Sequence, residues 1–202
     1  MPNVQVFKEL VPVTARGEAT RSKLLIAAEE EFGDKGFHAA SVSSVTSRAG
    51  VGQGTFYLYF HSKEEVFVTL VRDIGRKLRK QMSAATAGAR GRLDAERRGL
   101  QGFLEFTQKH PGLYRIVQEA QFVDEPVFRE YYERLAKSYS ESLGEAARRG
   151  EIGPGHDEAR AWALMGIGHF LGMNWCLWQG KLPEAAVIDE VMNMLSRGLA
   201  AA

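Results

Sequence analysis

One cysteine, Cys176, is all that the 202 residues carry, so no disulfide can close within the chain and no cysteine-based zinc site can form. That composition suits a reducing, cytoplasmic setting. The first residues, M-P-N-V-Q-V-F-K-E-L-V-P-V, have neither the basic start nor the unbroken apolar run of a secretory signal. A membrane span of about 18 uninterrupted apolar residues is missing too. The most apolar stretch, Trp162 to Trp178, is broken by Gly166, Gly168, His169, Gly172 and Asn174, and reads as a buried helix. Strand-type alternation is absent, which leaves an all-α fold. H-E-x-x-H, G-x-S-x-G, a P-loop and an acidic metal cluster at helical spacing are all missing, so no catalytic residue, metal or cofactor is expected. G-V-G-Q-G has glycines enough for a nucleotide loop, but no strand precedes it and no βαβ unit follows.

Charge of one sign is also scarce, at a net +1 overall. Its distribution is uneven. Residues 1–90 hold 13 Lys and Arg against 9 Asp and Glu, whereas residues 91–202 hold 13 against 16. The N-terminal part is therefore the better candidate to face phosphates. Within it, Ala39 to Lys63 reads A-A-S-V-S-S-V-T-S-R-A-G-V-G-Q-G-T-F-Y-L-Y-F-H-S-K. Two short apolar-periodic segments flank Ala49-Gly50-Val51, the pattern of a helix-turn-helix in which Gly50 permits a positive φ and Val51 fills the angle. The second segment begins with groups suited to a duplex groove. Gln53 has an amide that can pair with an adenine edge, and Thr55 has a hydroxyl for phosphate and a methyl for thymine. Gly52 and Gly54 let the backbone come close. Tyr57 and Tyr59 can lay rings on sugar, while Phe56 and Phe60 are expected to face the core. Supporting phosphate contacts are expected from Arg21, Ser43, Ser44, Arg48 and His61.

The run G-V-G-Q-G-T-F-Y-L-Y-F-H-S-K-E-E-V, with T-R-S-K-L-L-I-A-A-E-E-E-F-G-D-K-G-F upstream, resembles the TetR/AcrR family of bacterial transcriptional regulators from Thr20 to about Val68. The resemblance implies a TetR-like architecture of about nine helices, with a three-helix helix-turn-helix head and a helical body for ligand binding and dimerisation. It implies that Gln53, Thr55, Tyr57 and Tyr59 face DNA and that Lys63 holds a phosphate through its amine or its backbone N–H. It also implies a homodimer on a pseudo-palindromic operator, acting by default as a repressor and released by a small-molecule effector. A helical small-molecule-binding protein without DNA function is the rival.

The expected divisions are an arm over 1–17, with Val4, Val6, Phe7 and Leu10 able to pack back, a helix-turn-helix domain over 18–65 and an effector and dimerisation domain over 66–202. Ser41 or Ser43 is expected to cap the second helix. Ser62 opens a long helix, a break falls at Ala84–Gly91, and helices follow over 93–110, 113–122, from Pro126, over 157–179 and from Pro183. The apolar helix from Trp162 suggests dimerisation, with Gly168 and Gly172 admitting a partner helix and Trp175, Val191 and Leu195 alongside. The aromatic body suggests an apolar pocket for an organic or acyl-type effector, with Phe103, Phe106, Phe122, Tyr131, Tyr139 and Trp162 as lining and Gln118 and His169 as polar handles.

Overall fold

The computed structural model describes residue 10 and residues 14–199. The expected packing of Val4, Val6 and Phe7 lies outside them. The described residues form nine α-helices and no strand: α1 (Ala15–Lys35), α2 (Val42–Ala49), α3 (Gln53–Phe56), α4 (Lys63–Thr86), α5 (Arg92–Lys109), α6 (Pro111–Val123), α7 (Glu125–Arg148), α8 (Asp157–Leu171) and α9 (Ala185–Leu199). A π-helical turn, Gly172–Trp178, continues α8.

Two compact units divide the chain. The first takes in residues up to Ile74 together with Gly112–Phe128. It thus runs beyond residue 65 and includes α6. Local chemistry sets its helix ends. Thr14 caps α1 by accepting the Gly17 N–H at 3.1 Å, and Gly36 stops it at φ 80°. Ser41 opens α2 through a reciprocal pair with Ser44, each backbone N–H donating to the other's hydroxyl at 3.0 Å. Gly50 ends α2 in the left-handed region at φ 67°, ψ 34°. A methyl there would meet nothing within 4 Å. The whole penalty of Gly50→Ala is therefore backbone strain, about 1–2 kcal/mol. We expect that variant to melt a few degrees lower than wild type and Gly50→Asn to fall between the two, because asparagine tolerates this conformation better.

The core of this unit is aromatic. Phe32 and Phe37 meet Phe67 with ring centroids 5.6 and 4.9 Å away, and Phe56 and Phe60, both fully buried, meet each other at 5.8 Å. The helix α6 joins through two contacts with the end of α1. Gly33 and Gly112 come so close that a methyl on the first would lie 3.0 Å from the Cα of the second. The Phe37 N–H donates to both carboxylate oxygens of Glu119, at 3.0 and 2.8 Å.

The second unit takes in Gly75–Pro111 and Arg129 onward. Leu143, Ala146, Ile152, Ala161 and Leu164 join α7 to α8, and Leu104, Cys176, Ile188 and Met192 join α5 to the π turn and α9. The Cys176 thiol donates to the Leu104 carbonyl at 3.4 Å, and burial pushes its pKa up. A single helix is expected over 157–179; instead, the hydrogen bonding changes at Gly172, as in the Gln179 N–H to Asn174 carbonyl bond of 3.2 Å. The wider turn keeps Gly168, Gly172 and Cys176 on one buried line against α5. A polar cluster surrounds the buried pair Arg92 and Glu96 in the same unit: Arg92 donates to the Ser142 hydroxyl at 2.7 Å, and the Tyr139 hydroxyl donates to Glu96. Burial and the Glu96 charge push the Tyr139 pKa well up.

Candidate nucleic-acid interface

The helix-turn-helix is complete. The helix α3 is a single turn, prolonged to Phe60 by successive tight turns in which the N–H groups of Leu58, Tyr59 and Phe60 donate to Thr55, Phe56 and Phe56. Phe56 and Phe60 hold this segment to the core at 1% and 0% exposure. Between them the chain faces outward. Gln53 and Gly54 are exposed, Tyr57 is 56% exposed, and Thr55 and Tyr59 are half-buried. No atom lies within 4 Å of where a methyl would stand on Gly52 or Gly54. A backbone or phosphate can therefore approach this edge directly. Leu58, at 69% exposure, belongs to the same face and went unnoticed in the sequence. Its signal is its place: an apolar residue between two outward tyrosines and out of phase with Phe56 and Phe60.

The charged and hydroxyl residues around this turn are arranged differently. Ser43 is exposed. Ser44 is committed to the α2 cap. The Arg21 guanidinium lies over the Phe60 ring at 5.1 Å. The His61 ring and backbone N–H both meet the Glu65 carboxylate, the ring at 2.8 Å. The Lys63 amine donates to the carbonyls of Phe37 and Ala40, each at 2.8 Å, and sits 4.1 Å from the Phe37 ring centroid. Expected as a phosphate ligand through its amine or its backbone N–H, Lys63 has its amine tying α4 to the α1–α2 corner. Arg48 binds Glu30, Glu31 and Asp34 of α1.

Glu31 is 1% exposed. The Lys35 ammonium, outweighing the opposing effect of burial, together with Ser44 and Arg48, holds its carboxyl below the ordinary range. A carboxyl whose folded pKa is depressed stabilises the fold above its unfolded pKa, and this contribution is lost as pH falls through the folded value, because the unfolded chain takes up the proton first. The melting temperature should therefore fall with acidification below about pH 4.5. Glu31→Gln should flatten that fall. Asp94, held low by the Arg90 N–H and Arg98, and Glu151, held low by Arg149, keep contributing in both proteins.

In the second unit the expected interface residues separate. Gly168 and Gly172 face α5 of the same chain, where methyls would stand 3.5 and 3.1 Å from the Phe103 ring. Sequence spacing marks glycines that admit a close neighbour but not which neighbour, and here it is internal. Trp175, Val191 and Leu195 are half-buried, Leu195 against its own core. The exposed large apolar groups of this region are Trp162 at 43%, Phe170 at 65%, Trp178 at 71%, Leu182 at 39% and Met194 at 55%.

Of the expected pocket residues, Gln118 and Phe122 lie in the first unit, Phe122 being 78% exposed, and the other six lie in the second. Phe103 packs on the two glycines, and Phe106 meets the His110 ring at 5.0 Å. Tyr131 meets Tyr132 at 5.1 Å, and Tyr132 lies 6.5 Å from Trp162. Tyr139 belongs to the polar cluster, and burial lowers the His169 pKa.

A helix-turn-helix with an outward second segment, in one chain with a further helical unit, is the architecture of a helix-turn-helix protein. The model for bacterial regulatory proteins of the tetR family matches residues 24–70. The HTH-type transcriptional regulator YdgC of Bacillus subtilis is 32% identical over 190 residues, covering 92% of this chain and 95% of its own. EthR of Mycobacterium tuberculosis, also an HTH-type transcriptional regulator, is 28% identical over 191 residues, covering 90% and 88%. Among solved structures, GusR of Salmonella enterica has a TM-score of 0.79 at 18% identity, covering 92% of this chain and 97% of its own. FadR, a fatty acid degradation regulator from Bacillus halodurans, has a TM-score of 0.76 at 20% identity, covering 87% and 94%. The chain belongs to the TetR family.

Proposed function

We propose that the protein is a dimeric one-component repressor that binds a pseudo-palindromic operator through the Gly52–Tyr59 turn and releases it on binding a small apolar effector. The observation that carries this is the outward set of Gln53, Tyr57 and Leu58 on a turn whose alternate residues, Phe56 and Phe60, are locked into the core. Gln53 offers an amide to a base edge, Thr55 and Leu58 offer methyls to thymine, and the tyrosines reach sugar and phosphate. Pairing is supported by Trp162, Phe170 and Trp178, each a large apolar side chain left exposed that a second copy would cover. An apolar or acyl effector is supported by the aromatic residues of the second unit, Phe103, Phe106 and Tyr131 among them, and it accords with the fatty acid regulator among the proteins of like fold.

Selection of genomic fragments by the purified protein, followed by mobility shift and sedimentation, tests this reading. A retained fragment shared by independent selections, bound by a dimer and released by medium-chain or long-chain acyl compounds, is the expected result. A protein that retains no fragment yet binds such compounds would instead be a helical ligand-binding protein.

A further inference from the structure

An ionised carboxylate buried as deeply as Glu31 needs close partners, because its lost hydration must be replaced. It has three: Lys35, four residues along α1, the Ser44 hydroxyl of α2, and Arg48 of α2, whose Nε stands 2.9 Å away. The same guanidinium reaches Asp34 at 3.0 Å and Glu30 at 3.3 Å through Nη1. One planar fork therefore holds three carboxylates of α1, a geometry lysine cannot reproduce. Arg48 stands in the last turn of α2, and only Ala49–Gly52 separates it from Gln53. The anchoring of α2 at this end decides where the Gly50 turn begins and so where Gln53 and Tyr57 point.

Resting on the regulator reading above, we propose that Arg48 is a positioning residue: its guanidinium locks α2 to α1 through Glu31 and thereby aims the recognition turn, and it does not bind a phosphate. Its charge is already matched by three carboxylates, so it adds little to the field a duplex meets. Its removal should then act on operator fit and not on counterion release.

The test measures affinity for a retained genomic fragment, across a salt series, for wild type, Arg48→Gln, Arg48→Lys, Glu31→Gln and the Glu31→Gln/Arg48→Gln double variant, with a random-sequence duplex and circular dichroism alongside. Arg48→Gln and Glu31→Gln should each weaken operator binding on the order of tenfold, and the double variant should bind no more weakly than the weaker single variant, as for two residues in one interaction. Arg48→Lys should not restore wild-type affinity. The slope of affinity against salt and the random-duplex affinity should stay unchanged. The proposal is overturned if Arg48→Gln lowers the salt slope by about 1, as loss of a phosphate contact does, or if Glu31→Gln binds the operator as tightly as wild type. Should Arg48→Gln fail to fold, Arg48→Lys and Glu31→Gln decide by the same criteria. A wild-type chain that retains no fragment sinks the parent reading at the selection step, and this inference with it. Wild-type binding with a changed slope in Arg48→Gln sinks the inference alone.

Discussion

Phe67→Ala should destabilise the first unit by about 3–5 kcal/mol, the usual cost of emptying a buried phenylalanine site. Phe67 is 0% exposed and lies edge-on to both Phe32 and Phe37, so its removal opens a space bounded by helix α1, the α1–α2 corner and helix α4. Those walls cannot close in. Lys63 holds the corner carbonyls to the start of α4, Glu119 holds the Phe37 N–H, and the Gly33–Gly112 approach already leaves no slack between α1 and α6. Small domains are stable by only about 5–15 kcal/mol, so a loss of this size should lower the melting temperature steeply and weaken DNA binding at 37 °C. Phe67→Leu should cost less, because more of the volume is kept. Denaturant unfolding of both variants measures this. A Phe67→Ala protein as stable as wild type would mean that the aromatic cluster does not hold the unit together.

The second large effect falls on function with little change in stability. Tyr57 is 56% exposed, and truncating an exposed side chain changes stability by about 0.5 kcal/mol or less. Its ring nevertheless stands on the face expected to meet the duplex, so Tyr57→Ala should weaken operator binding by about 1–3 kcal/mol, roughly 5-fold to more than 100-fold. Gln53→Ala should differ in kind. An amide that pairs with a base discriminates by about 1–3 kcal/mol, so its loss should relax preference at one position of each half-site while leaving random-sequence affinity near wild type. Competition binding against single-base operator variants separates the two. Equal loss of affinity on every sequence in Gln53→Ala would assign that residue to the phosphates.

The sequence made the first unit legible because its determinants are local. Gly36 and Gly50 mark helix ends by conformations other residues adopt poorly, and the Ser62 hydroxyl caps α4 by accepting from the N–H of a neighbour in sequence, Glu65. The phase of Phe56 and Phe60 separates core from surface within one turn. Contacts between residues far apart in sequence left no such trace. The recruitment of α6 rests on Gly33 meeting Gly112 and Phe37 meeting Glu119, pairs that no periodicity reveals. Arg48 and Lys63 have the charge of phosphate ligands, yet their partners come from other segments: carboxylates of α1 for one and backbone carbonyls for the other. Gly168 and Gly172 advertise close packing without naming the neighbour, and it is Phe103. The π turn is a matter of hydrogen-bond register, set by where the line Gly168, Gly172 and Cys176 must lie against α5.

The central claim is that two copies of the Gly52–Tyr59 turn read one duplex. Hydroxyl-radical footprinting of the wild-type protein on a retained genomic fragment tests it most directly. The account predicts two protected stretches on one face of the duplex, centred about 34 Å apart or a multiple of it, both lost in Tyr57→Ala. A single protected stretch, or a footprint that Tyr57→Ala leaves unchanged, would contradict it.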